Sequence, residues 1–158
     1  MARADISMTP EEMAAFLEGG HTIVVATVGR DGVPHLAPMW YVVEAGMVVF
    51  RSFTKSQKIV NLQRDSRVTV LLETGEKYEE LKGVLIRGTA RLVDDPAYTL
   101  GIYGRLAGKY AMVGDAPVVL EGEALEAAFG RFAPKNTSVM VEPERVASWD
   151  HTKLGGRY

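Results

Sequence analysis

The sequence predicts a mainly β protein: six to seven short antiparallel strands curled toward a barrel, with helices inserted between them. Three observations carry this expectation. β-Branched and apolar runs recur along the chain, Gly- and Asp-rich turn signals separate them, and most connections are short enough for hairpins. A barrel also removes the unpaired edges that an open sheet of this kind exposes.

The first element is a helix. Thr9-Pro10-Glu11-Glu12 supplies an N-cap, a proline at the first helical position and the acid that closes a capping box, and Gly19-Gly20 ends the run. Met13, Phe16 and Leu17 form its apolar stripe, which suits a short helix lying across one mouth or side of a sheet. From Thr22 to Val28 the chain turns β-branched, and Gly29 to Gly32 reads as a hairpin turn. A return strand is expected from Val33 to Val43, bent or edge-like because Pro34 and Pro38 cannot donate to a ladder. After a turn at Glu44-Ala45-Gly46, Met47 to Ser52 is the third strand.

Ser56 to Arg64 reads as a short helix with Ile59, Val60 and Leu62 turned inward. Val68 to Leu72 and Gly83 to Val93 are two more strands, the second alternating Leu85, Arg87, Thr89 and Arg91 against Ile86, Gly88, Ala90 and Leu92. Asp95-Pro96 opens a helix toward Lys109, and Glu123 to Phe132 forms another with Leu125, Ala128, Phe129 and Phe132 on one face. Val139 to Glu142 and Arg145 to Trp149 close the sheet. The expected organisation is one cofactor-binding domain over residues 1–158, with an N-terminal helix over 8–20 and a helical insertion over 95–132.

Composition narrows the function. The 158 residues are 47% apolar and 24% charged, ordinary for a soluble globular chain. Cysteine is absent, which excludes disulfides, Cys-ligated metal and a thiol nucleophile. A net charge of −2 gives no general nucleic-acid binder, so an anion site has to be a local concentration of positive charge. Apolar runs stop short of a membrane span, and Glu11, Glu12 and Glu18 interrupt any signal-peptide pattern. A cytoplasmic protein acting on a small molecule, away from membrane and nucleic acid, is the expectation. His21, His35 and His151 are too few and too scattered for a metal site.

One stretch carries chemistry. The third strand ends in Arg51-Ser52 and a helix begins near Ser56, with Thr54, Lys55, Gln57 and Lys58 around them. A helix start offers free N–H groups and the positive end of a dipole; an Arg fork, two Lys and several hydroxyls add the groups that bind phosphate. The residues alone leave a second reading open, in which Ser56 is a plain N-cap and the basic residues a solvated face.

The order of these pieces resembles a known family. Gly-Arg-Asp-Gly-Val-Pro-His-Leu-Ala-Pro-Met-Trp-Tyr (29–41), Val-Val-Phe-Arg-Ser-Phe-Thr-Lys-Ser-Gln-Lys-Ile-Val-Asn-Leu-Gln-Arg-Asp-Ser-Arg-Val (48–68), the strand 83–95 and the closing 146–155 look like the pyridoxamine 5′-phosphate oxidase-like superfamily. The match is most like its actinobacterial branch that uses the deazaflavin coenzyme F420, and it runs over nearly the whole chain from Met8. The resemblance implies a six- to seven-stranded antiparallel split β-barrel, an FMN-binding split barrel, assembled as a homodimer with cofactor sites at the interface.

Carried over by position, Ser56 and Lys58 correspond to the Ser-x-Lys phosphate ligands, and Arg51 and Ser52 to strand-end residues that hold phosphate and ribityl chain. Pro38, Met39 and Trp40 correspond to the strand beneath the ring, with His35 beside it, while Thr54, Lys55 and Gln57 complete the binding stretch. The oxidases themselves usually have Arg where this chain has Gln57, which turns the choice from FMN toward coenzyme F420. Lys55, Arg64 and Lys77 are candidates for the longer anionic tail of a deazaflavin. The implied activity is hydride transfer to a small conjugated acceptor, with no side chain named as catalytic. The alternatives are an FMN-dependent oxidase or flavin reductase, and a non-catalytic flavin-, deazaflavin- or haem-binding protein. Tyr98, Tyr103 and Tyr110 either line a substrate pocket or pack the insertion onto the barrel, and Glu76 to Glu80 reads as a solvated loop.

Overall fold

Strand alternation decides which side of the sheet each residue serves, and seven strands do so here. In the computed structural model, which describes residues 6–111 and 116–155, they are β1 (Ile23–Val28), β2 (Pro34–Met39), β3 (Val42–Glu44), β4 (Met47–Phe53), β5 (Arg67–Thr74), β6 (Lys82–Val93) and β7 (Asn136–Asp150). All pairings are antiparallel, and the sheet runs β2-β1-β5-β6-β7-β4-β3. The two edge strands, β2 and β3, are consecutive in the chain and joined through Trp40 and Tyr41 alone. Three steps of backbone reach about 11 Å at most, so one end of each edge is tied close to the other. The sheet therefore curls into a split barrel.

This is where the structure departs from the expected return strand over 33–43. The chain leaves the first edge at Met39 and joins the opposite edge at Val42. Pro34 and Pro38 lack the N–H that an interior strand needs, and β2 accordingly takes an edge position. A second departure balances the count. The two expected closing strands are one 15-residue strand, β7, which passes through Pro143 at a bulge opposite Arg87 and Gly88. Gly88 is required there, because a Cβ would stand 1.9 Å from the Glu142 carbonyl oxygen. Ala45 and Gly46, with φ of 49° and 77°, make the two-residue turn between β3 and β4.

Among the described residues four α-helices cover this sheet: α1 (Pro10–Gly19), α2 (Gln57–Arg64), α3 (Pro96–Tyr110) and α4 (Gly122–Phe129). α1 starts with the expected reciprocal cap: Glu12 N–H donates to Thr9 Oγ1, and Thr9 N–H to Glu12 Oε2. Inward-facing Ile23, Val25, Val48, Phe50, Val70, Val84, Ile86 and Val139 form the barrel core, closed by Leu17 of α1 and by Ile59 and Leu62 of α2. Val60 points outward at 43% exposed, against expectation, and Asn61 takes the buried position instead. On the outer face of β4 and β7, Val49 and Met140 pack beneath Ile102 and Leu106 of α3. α4 ends three residues earlier than expected, so Phe132 lies beyond it and is 37% exposed.

Tyr78–Glu80 forms a single exposed 3₁₀ turn within the expected loop. Residues 112–115 of the insertion and 156–158 of the tail lie outside the described residues. Among the described residues no helix is long and apolar enough to cross a membrane, and no group of His, Cys, Asp or Glu is arranged to hold a metal ion.

Candidate functional site

Arg51 and Ser52 are neighbours on β4, so their side chains leave the sheet on opposite faces. That single fact divides the candidate residues into two sets. Phe50 and Ser52 face the barrel interior, while Val49 and Arg51 face α3.

The first set gathers at the start of α2. Lys58 Nζ donates to Ser52 Oγ at 3.1 Å, and Ser52 Oγ lies 3.0 Å from Ser56 Oγ. Ser56 occupies the N-cap position, but its side chain makes no cap hydrogen bond. The plain-cap reading therefore does not describe it. With Lys58 donating into Ser52, the Ser52 proton can pass to Ser56, and the Ser56 proton is left to donate outward. The first N–H groups of an α-helix have no intrahelical partner, so this corner is composed of donors. Burial lowers the pKa of Lys58, whose hydrogen-bond partner is a hydroxyl.

Other members of the stretch are committed elsewhere. Thr54 Oγ1 is 3.0 Å from Thr137 Oγ1, which donates to Asp94 Oδ1 at 2.7 Å. Gln57 Nε2 donates to Asn61 Oδ1 at 2.8 Å, and Asn61 Nδ2 donates to Thr27 Oγ1 at 3.0 Å, stitching α2 to β1. Lys55 is exposed, as is Lys77, and Arg64 donates to the Val28 carbonyl. His35 pairs in register with Thr27 on β1, and its Nδ1 is buried without a hydrogen-bond partner among the described residues.

The second set lines a cleft of about 440 Å³ walled by Thr22, Pro38, Met39, Trp40, Arg51 and Leu106. Four of these six are residues that the sequence singled out. Arg51 Nη1 donates to Asn136 Oδ1 at 3.2 Å, and its guanidinium carbon sits 3.9 Å from the centre of the Tyr103 ring. Its Nε is buried without an acceptor among the described residues, and burial lowers its pKa.

Trp40 is held from behind. Its ring stacks on Tyr110 at 4.5 Å with planes 6° from parallel, and His21 meets both edge-on at 6.0 and 5.1 Å. Tyr110 Oη lies 2.8 Å from the His21 carbonyl and 3.0 Å from that of Tyr41, and accepts from Tyr41 N–H at 3.1 Å. Lys109 Nζ lies 3.8 Å above the Tyr41 ring, and its pKa is lowered by burial.

Of the three tyrosines in the insertion, Tyr103 and Tyr110 back the cleft, whereas Tyr98 donates to Glu44 Oε1 at 3.0 Å. Thr22, Leu106, Tyr41 and Asn136 are missed by sequence reasoning. Tyr41 simply follows Trp40 in the chain, whereas the pairing of β4 with β7 brings Asn136 to Arg51 and the packing of α3 brings Leu106.

The residues that build both sets lie within a single family match: residues 9–150 fit the model of the pyridoxamine 5′-phosphate oxidase family. The chain belongs to that family. In fold it is a pyridoxamine 5′-phosphate oxidase-like split barrel. A conserved hypothetical protein from Mycobacterium tuberculosis is 35% identical, with 100% of this chain and 94% of that chain covered at a TM-score of 0.88. An F420 reductase shares the fold at 22% identity, covering 88% of this chain and 98% of that one at a TM-score of 0.66. An FAD-binding protein from Mycobacterium smegmatis does so at 20% identity, covering 89% and 95% at a TM-score of 0.58. No curated protein is significantly similar. The expected superfamily and antiparallel split-barrel fold are thus met.

Proposed function

We propose that this member of the family binds coenzyme F420 and serves hydride transfer to a small conjugated organic acceptor. The observation that carries the reading is the donor corner Ser52–Ser56–Lys58 at the head of α2. It offers an ammonium, an outward hydroxyl proton and free helix N–H groups to one anion, which suits a cofactor phosphate. The Pro38–Trp40 strip, lining the neighbouring cleft, suits the face of a planar ring. Gln57 supports the deazaflavin over FMN. Where the oxidases usually carry an Arg, this side chain is turned back onto Asn61. The fold shared with an F420 reductase agrees with the reading.

When bound, reduced deazaflavin supplies the hydride. The chain's own part is to hold, orient and shield. Lys58 and Ser56 hold the phosphate end, Pro38 to Trp40 fix the plane of the ring, and Trp40 on its Tyr110 support closes one wall of the cleft against water. A second copy of the chain completes the site in this reading. Leu36, Trp40 and Phe53 are 62%, 42% and 52% exposed, large apolar side chains of the kind that a partner covers.

Titration with F420 and with FMN, followed by fluorescence, tests the assignment. Wild-type protein should bind F420 the more tightly, and Lys58→Ala should weaken it by about tenfold or more, the loss of one charge-assisted contact. Unchanged affinity in Lys58→Ala sinks the phosphate corner, and FMN binding without F420 binding sinks the choice of cofactor. Analytical ultracentrifugation of Leu36→Glu against wild type checks the dimer.

A further inference from the structure

Arg51 is the feature that the phosphate corner does not absorb. A cofactor phosphate held by Ser52, Ser56 and Lys58 lies on the interior side of β4, whereas Arg51 projects from the other face into the Trp40 cleft. We infer that Arg51 receives a carboxylate carried by the planar, conjugated molecule that this cleft admits, and is not a ligand of the cofactor phosphate. The inference rests on the reading above, in which that molecule is the hydride acceptor.

The guanidinium has been prepared for one more partner. Asn136 Oδ1 takes Nη1, and Tyr103 covers one face at 3.9 Å, which fixes the plane of the group. The edge left over is Nε with Nη2, a planar fork of the spacing that a carboxylate matches with two parallel bonds. The Nε–H on that edge is buried and meets no acceptor among the described residues. A buried donor left unpaired costs about 1–3 kcal/mol, a cost that a bound carboxylate oxygen removes.

Charge and shape select the ligand. Among the described residues that line the cleft Arg51 is the charged one, so its one positive charge balances one carboxylate. With Pro38 to Trp40 given to the cofactor ring in the reading above, Leu106 and the Thr22 hydroxyl remain beside Arg51 as wall for the acceptor, whose flat body lies against that ring. The volume, about 440 Å³, lies within the usual range for small-molecule sites.

The test compares trans-cinnamate with trans-cinnamamide, equal in shape and different in charge, by calorimetric titration of the protein loaded with oxidised F420, or of the bare chain if F420 does not bind. Wild type should prefer cinnamate by about tenfold or more. Arg51→Gln should erase the preference, Arg51→Lys should retain part of it, and F420 affinity in Arg51→Gln should stay within about twofold of wild type. Equal binding of the two probes by wild type overturns the inference. So does a loss of F420 affinity in Arg51→Gln as large as that in Lys58→Ala, which would make Arg51 a cofactor ligand. Should Arg51→Gln not fold, the wild-type Arg Nε–H resonances decide: one must shift with cinnamate and not with cinnamamide. A protein that prefers cinnamate yet binds no deazaflavin supports the role of Arg51 and removes the hydride-transfer reading instead.

Discussion

Tyr110 stacks on Trp40 at 4.5 Å while its hydroxyl accepts from Tyr41 N–H at 3.1 Å, so the last residue of α3 grips both residues that join the two edges of the sheet. Trp40 owes its position in the cleft to this grip. Tyr110→Phe keeps the stack and deletes the hydrogen bonds, at a cost of about 1–2 kcal/mol, or about 2–6 °C in Tm for a chain of this size. Tyr110→Ala deletes both and should cost about 2–4 kcal/mol, with a further red shift of tryptophan emission as Trp40, already part-exposed, loses the ring that covers one face. Equal Tm for the two variants would show that the stack contributes nothing.

Tyr41 sets the response to alkali. Its side chain is 0% exposed and its hydroxyl donates to the Leu17 carbonyl, and burial holds its pKa well above the ordinary tyrosine value. Tyr98, half-buried against Glu44, is pushed up to about 12. A group whose folded pKa is raised contributes stability that is complete below its unfolded value, about 10, and is lost as pH climbs through the folded value. Lys58 and Lys109, lowered by burial, act in the opposite sense over the interval up to about 10.5. Tyr41→Phe separates the two effects. Urea midpoints should show it less stable than wild type at pH 8 by about 1–2 kcal/mol, yet with a smaller further loss between pH 10 and pH 11.5. Parallel losses in both proteins would remove Tyr41 from the alkaline transition.

How far the fold was legible follows from the range of the forces involved. The α1 cap and the alternation of β6 are local and could be read directly: Thr9, Pro10 and Glu12 act within one turn, and Val84, Ile86, Ala90 and Leu92 face the core as their period demands. The break at Trp40-Tyr41 was not legible, since nothing in Val33 to Val43 says that its two halves pair with β1 and with β4 on opposite edges. Val60 and Asn61 were exchanged for a related reason. Hydropathy favours Val60 inward, but the helix phase that buries Ile59 and Leu62 also buries position 61. The candidate stretch Arg51 to Lys58 was legible as a run of binding groups. Its division into two sites was not drawn from it, although strand period alone places Arg51 and Ser52 on opposite faces.

Asn61 offers the sharpest check on what anchors the donor corner. It is 0% exposed, and it donates to Thr27 Oγ1 at 3.0 Å while accepting from Gln57 Nε2 at 2.8 Å. Thr27 is itself 2% exposed, so the bond lies in a low-dielectric interior, where a partnered pair is favourable and a stranded member costly. Asn61→Ala should lower stability by about 2–3 kcal/mol, combining a lost hydrogen bond with a small cavity, and Tm by about 5–10 °C. Thr27→Val, of nearly the same shape, removes the other partner. In the double variant the two losses should fall short of their sum by about 1 kcal/mol, the coupling of residues in contact. Strict additivity in urea unfolding would mean that the Asn61–Thr27 bond does not hold α2 to β1, and that the packing of Ile59 and Leu62 alone sets where Ser56 and Lys58 stand.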